Sequence, residues 1–137
     1  MIAEVEALRA EIAAQTPYAV HAFAAPSLSL PQVVIEAPPT GDRGELSACG
    51  TTSAVDDTVR VKAVAGTSEG VAMMLARIGE VLSPGREVRR VPMPGRALDV
   101  VWVRSEFVAA DTSVTVPSTN RHPAVGVDSY RVVSQPI

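Results

Sequence analysis

Between residues 58 and 82 the apolar residues change period once, and that change dictates a strand followed by a helix. In Thr58 to Ala65, Val59, Val61 and Ala63 alternate with Arg60 and Lys62, the two-residue period of a half-buried strand. From about residue 69 to 82 the apolar positions are Val71, Met74, Leu75, Ile78 and Leu82, one stripe of a helix. Gly66-Thr67-Ser68 supplies the turn between them, with Gly66 and Gly70 easing its backbone. Thr67 or Ser68 is placed to cap the helix by accepting a free backbone N–H. Glu69 suits the positive end of the helix dipole, and Pro84-Gly85 ends the helix. A strand running straight into a helix needs a sheet on which both can pack, so the rest of the chain is expected to supply strands.

The same two periods recur elsewhere. Residues 2 to 15 predict a first helix, with Ile2, Val5, Leu8 and Ile12 at helical spacing and Glu4, Arg9 and Glu11 on other faces. Pro17 ends it. Residues 18 to 23 and 32 to 37 predict two strands around a loop framed by Pro26 and Pro31. Residues 38 to 44 are dense in turn formers, and 46 to 52 predict a short strand with Cys49 buried as a small apolar group. Residues 84 to 96 predict a loop or ragged hairpin. Leu98 to Val103 reads as a strand buried on both faces, its apolar character continuing through Phe107 and Val108. A short strand at 113 to 116 and a polar loop at 117 to 123 precede the closing strand, 125 to 133. There Val125, Val127 and Val133 fall on one side and Tyr130 and Val132 on the other. The expected fold is α+β: one domain over 1–137, a mainly antiparallel sheet with two helices packed on one face, and one crossover within 58 to 103.

Composition removes several functions. The chain has 137 residues, the size of one domain, and is 47% apolar, which argues against disorder over its whole length. Cys49 is alone, so no disulfide framework is expected, and one Cys with His21 and His122 does not furnish a structural zinc site. No apolar run is long enough to span a membrane, and Glu4 and Glu6 stand where an export signal carries positive charge. The net charge of -3 argues against a dedicated nucleic-acid binder. Aromatics are too few for a stacking platform. The basic residues are all Arg except Lys62, and Arg favours bidentate contacts across interfaces.

The motif nearest to catalysis is Gly66-Thr67-Ser68-Glu69-Gly70, which matches G-x-S-x-G between a strand and a helix. Asp99 or Asp111 and then His122 follow in the order of a hydrolase triad. The chain is too short for the large parallel sheet of that fold, no Gly-rich oxyanion loop precedes the motif, and His122 lies in a Pro-flanked loop. Capping is therefore the expected role. His21 reads as an edge-strand histidine, Asp56-Asp57 as a solvated turn, and Cys49 has no neighbouring base. No catalytic, cofactor-binding or metal-binding residue is expected, and the chain is not expected to be an enzyme. Arg86, Arg89, Arg90 and Arg96, offset only by Glu87, form a basic loop suited to an acidic partner surface. Asp42, Arg43 and Arg121 in the neighbouring loops complete the candidate interface residues.

The segments Ala19-Val20 and Val33-Val34-Ile35, the strand Val59 to Val64 entering a capped helix that ends Ile78-Gly-Glu-Val-Leu82, and the ending His122 to Val133 together carry a likeness. In this layout the chain resembles the tail terminator, or tail completion, proteins of long-tailed bacteriophages of the siphophage type. The resemblance implies a virion structural protein, assembled in the host cytoplasm into the tail. Such a protein forms a hexameric ring on the head-proximal end of the tail tube and stops its polymerisation. It also joins the tail to the head connector or stopper, while genomic DNA passes through the lumen without specific binding. The resemblance implies no cofactor and no membrane, and it transfers no functional residue. A head–tail stopper or a minor tail protein is the alternative structural reading, and a small serine hydrolase using Ser68 is the enzymatic one.

Overall fold

The computed structural model describes residues 1–38, 54–106, 109–116 and 121–137. The expected turn-rich loop, including Asp42 and Arg43, the expected strand with Cys49, Phe107 with Val108, and residues 117–120 of the polar loop lie outside the described residues.

Helix α1 (Ile2–Gln15) buries Val5, Leu8 and Ile12 completely. Its stripe is set differently at the start: Ile2 is 75% exposed, and Glu4 is buried, 3.4 Å from the Met1 amino group. Thr16 closes the helix, its backbone N–H and its hydroxyl both donating to the Ile12 carbonyl at 2.9 and 2.8 Å. Helix α2 (Ser68–Leu82) keeps the stripe the sequence predicts, with Val71, Met74, Leu75, Ile78 and Leu82 buried. Thr67 is its N-cap, accepting from the Gly70 N–H at 3.0 Å. A short 3₁₀ turn (Pro84–Arg86) follows.

The strands are β1 (Ala19–Ala22), β2 (Gln32–Glu36), β3 (Val55–Ala65), β4 (Arg89–Val91), β5 (Arg96–Ser105), β6 (Ala109–Ala110) and β7 (Ala124–Pro136). They form one sheet in the order β1-β2-β3-β7-β5-β4, with β6 also pairing β7. All pairs are antiparallel except β1 with β2. The last strand lies at the centre, and β3 and β5 run parallel to each other on its two sides. Helix α2 is thus the crossover between them. The fold is α+β, with both helices on one face of the sheet. The two helices meet Val33, Ile35, Val59, Val61, Leu98, Val100, Tyr130 and Val132 in a single core.

On the opposite face the alternation presents Arg60, Lys62, Arg131 and Val133. Strand β5 is accordingly buried on one face only: Leu98 and Val100 are fully buried, whereas Val103 is 46% exposed. A strand needs a layer on each side to be buried on both, and here helices cover only one. The expected strand at 113 to 116 is a turn and irregular chain, and Ala109–Ala110 pairs with Val125 and Ala124 instead.

Gly79 lies in the middle of α2, where glycine is costly. A Cβ added there meets the Tyr130 hydroxyl at 3.6 Å, an ordinary contact. Gly79→Ala is expected to raise stability by about 0.5–1 kcal/mol in urea denaturation. A loss of stability would show that the helix cannot hold its distance from the sheet.

Candidate functional site

The structure disperses the triad candidates into separate local bonds. Ser68 begins α2 in solvent, and the cap next to it is Thr67. Gly66 has no positive φ and nothing within 4 Å of an added Cβ, so the turn does not require glycine there. His122 Nδ1 lies 2.6 Å from the Val114 carbonyl. Asp111 accepts from the Ser113 hydroxyl at 2.5 Å and from its N–H at 3.0 Å, and these bonds lower its pKa. Asp99 is held by Arg90, whose bonds at 2.6 and 3.3 Å lower its pKa as well. His21 sits on the edge strand β1, half-buried. Among the described residues no cluster of His, Cys, Asp and Glu suited to a metal ion occurs. No helix there is long and apolar enough to cross a membrane.

The arginines of 86 to 96 do not form one patch, because the strand alternation of β4 sends neighbours to opposite faces. Arg89 points to the helix side, donating to the Val81 carbonyl and, at 2.8 Å, to Glu11 of α1. Arg90 points to the open face and pairs with Asp99. Arg96 donates to the Ser134 hydroxyl at 2.6 Å and to its carbonyl at 3.2 Å. Arg86 stacks on Trp102, its guanidinium carbon 3.9 Å from the ring centroid. Arg121 is exposed, and its carbonyl accepts from the Val116 N–H at 2.8 Å.

Arg86 and Trp102 mark the mouth of a cleft of about 530 Å³ between the second half of α2 and strands β5 and β7. Ser83, just past the end of α2, frames it: its hydroxyl donates to the Glu87 carbonyl at 2.6 Å and accepts from the Trp102 N–H at 3.1 Å. A bulge between Trp102 and Arg104 brings Ser105 opposite Asp128 of β7. The Ser105 hydroxyl donates to Asp128 at 2.5 Å, and Trp102 supplies a second side-chain hydrogen bond. Asp128 is 4% exposed, and burial raises its pKa against these bonds. Two residues on, Tyr130 is fully buried and its hydroxyl has no hydrogen-bond partner among the described residues. Burial first, and the Asp128 carboxylate second, push that phenol above its usual range, so it stays protonated. The cleft is thus lined by a largely buried carboxyl group, with the Tyr130 phenol sealed in the core beneath it.

Sequence reasoning singled out none of Asp128, Ser105 or Trp102. One signal was present: the alternation of β7 puts Asp128 in the same inward register as Tyr130 and Val132, where a carboxylate is out of place.

Asp128 makes a distinct pH prediction. An unfolded aspartate titrates near ~3.9, and the folded group titrates higher. Its stabilising share is complete below the unfolded value and is lost as pH rises through the folded one. Asp128→Asn does not titrate, so its stability relative to the parent is expected to grow with pH across that window. Urea midpoints of both proteins from about pH 3.5 to pH 8 measure this. A constant difference would mean that the carboxylate is not desolvated.

No protein-family model matches the chain, and no curated protein is detectably similar to it.

Proposed function

We propose that the chain is a ring-forming structural subunit that caps the head-proximal end of a phage tail tube and joins it to the head connector. The observation that carries this reading is the open face of the sheet. Both helices pack on one side, while the other side presents Val101, Val103, Val127 and Val133 among ion pairs. Arg131 with Asp56, Arg90 with Asp99 and Arg60 with Glu106 frame these valines. Apolar side chains between fixed charges suit packing against a second protein surface. Among the described residues the end strands β1 and β4 are each paired on one side only, and such sheet edges suit a neighbour's strand. The layout the sequence shares with tail terminators adds the kind of assembly. In a head-to-tail ring one face of a subunit meets a different face of the next, and closure limits growth.

The reading is tested by size in solution and by tail length. The purified chain is expected to sediment as a hexamer. Phage lacking it are expected to make overlong tails, and a stopper's loss would leave tail length normal. Arg90→Glu, which reverses a charge on the open face and breaks the pair with Asp99, is expected to lower ring formation or docking. Normal tail length without the protein would overturn the terminator role.

A further inference from the structure

The cleft under α2 brings a hydroxyl, a carboxylate and a cation together on the helix side of the sheet. Ser105 is exposed at its wall, and the Ser105 hydroxyl donates to Asp128 at 2.5 Å. That carboxylate is 4% exposed, and the Trp102 side chain holds it from a second direction. A hydroxyl bonded to a base that a third group orients is the arrangement that activates a serine as a nucleophile. Burial raises the pKa of Asp128, which makes it a stronger proton acceptor than a solvated aspartate. The other ionisable groups around it are Glu80 of α2, Glu106 of β5, Tyr130 of β7 and Arg86 of the 3₁₀ turn. Glu106 is engaged by Arg60 at 3.1 Å, Glu80 is exposed, and Tyr130 stays protonated.

Arg86 supplies the cation. It lines the cleft, and its charge acts on both Asp128 and Tyr130, opposing the rise of each pKa. Its guanidinium stacks on Trp102 and makes no hydrogen bond among the described residues, so its N–H groups are unspent. Left-handed backbone fixes it there, with φ +64 at Gly85 and +61 at Arg86. An arginine rarely adopts that conformation, and such strain concentrates at functional sites. A cation held in place with free N–H groups suits negative charge that develops on a carbonyl oxygen. Ala72, Leu75 and Ala76 of α2 form an apolar wall beside it, fit for a short acyl chain.

We propose that this cleft is an esterase site, with Ser105 as nucleophile and Asp128 as base, for small carboxylic esters with a short apolar acyl group. Ser105 Oγ bonds to the ester carbonyl carbon while Asp128 takes the hydroxyl proton. The negative charge gathers on the carbonyl oxygen beside Arg86. As the carbonyl re-forms, the bond to the leaving alcohol breaks, and that oxygen takes the proton from Asp128. Water then attacks the acyl group on Ser105 and gives a proton to Asp128. Ser105 Oγ leaves and regains that proton, and the carboxylic acid departs. Ester and water are the only reactants. The site is separate from the open face, so it stands or falls independently of the ring reading.

Hydrolysis of p-nitrophenyl acetate by the full chain is the test. The parent is expected to release p-nitrophenol with a rate that saturates in ester, and peptide mass spectrometry is expected to find acetyl on Ser105. Ser105→Ala and, separately, Asp128→Asn are expected to lower kcat about a hundredfold or more. Arg86→Ala is expected to lower kcat about a hundredfold with KM nearly unchanged. Ser105 is exposed, so far-UV circular dichroism of Ser105→Ala should match the parent's. Ser68→Ala, at the exposed start of α2, should keep the parent's rate. From about pH 4 to pH 8 the parent's rate should rise as Asp128 ionises and then level, and Asp128→Asn should lose that rise. A parent no faster than buffer overturns the site. So does a folded Ser105→Ala that keeps the parent's rate, or acetyl found only on other residues. Each of these leaves the ring reading standing, because that reading is judged by size in solution and by tail length.

Discussion

Val61→Asp is expected to unfold the protein at 25 °C. Val61 is fully buried in the middle of β3, facing Ile35 on one side and Asp128 on the other. The substitution removes a buried valine, worth about 1.5–3 kcal/mol. It also buries an unpaired carboxylate, at a cost of several kcal/mol more. Like charges directly across a sheet add to this, because the new carboxylate faces Asp128. Together these exceed about 5 kcal/mol, the lower end of what a domain has to lose. Lys62, the next residue, faces the open side, and Lys62→Gln is expected to change stability by no more than about 0.5 kcal/mol. Circular dichroism in urea measures both. A cooperative Val61→Asp transition close to the parent's would mean that β3 does not present this face to the helices.

Arg89→Glu is expected to cost about 3 kcal/mol or more, from lost charge-assisted bonds and a new repulsion. Arg89 ties three elements together: it stands on β4, bonds Glu11 of α1 and reaches the Val81 carbonyl near the end of α2. Glu11 is only 14% exposed at its side chain, so it is left half-buried without its cation, with the Gln15 amide at 3.2 Å as its remaining donor. A glutamate at position 89 also sets a negative charge against the negative end of the helix dipole. Arg90→Glu, one residue on, touches an ion pair whose arginine is 60% exposed, and its cost should stay below about 1 kcal/mol. Thermal unfolding of the two variants reads the contrast. Equal, small losses would mean that Arg89 is a surface charge after all. The contrast also decides which variant probes assembly: Arg90→Glu leaves the fold nearly as stable as the parent's, whereas Arg89→Glu weakens it.

Much of the fold was legible in the sequence, and the parts that were share one property. The inward faces of β3, β7 and α2, the Thr67 cap and the two-helix layout are written in spacing within single segments. Elsewhere local spacing misled. It placed Glu4 and Glu11 of α1 in solvent, but the first lies against the Met1 amino group and the second against Arg89. It also gathered four arginines into one loop that the structure divides among a ring face, a helix end, an aspartate and a serine. The candidate cleft was the least visible of all, since its members come from α2, the 3₁₀ turn, β5 and β7.

The amino-acid sequence by itself determined which face of β3, β7 and α2 turns inward, because the periods of 2.0 and 3.6 follow from backbone geometry and need no partner. Only the tertiary structure decided that the last strand sits in the middle of the sheet and that β1 runs parallel to β2. It also decided that a bulge aims Ser105 at Asp128 and that Arg89 meets Glu11 from 78 residues away. These outcomes rest on the free energy of burying surfaces and charges that are distant in the chain. No local run of residues encodes that quantity, so it is settled only when the segments meet.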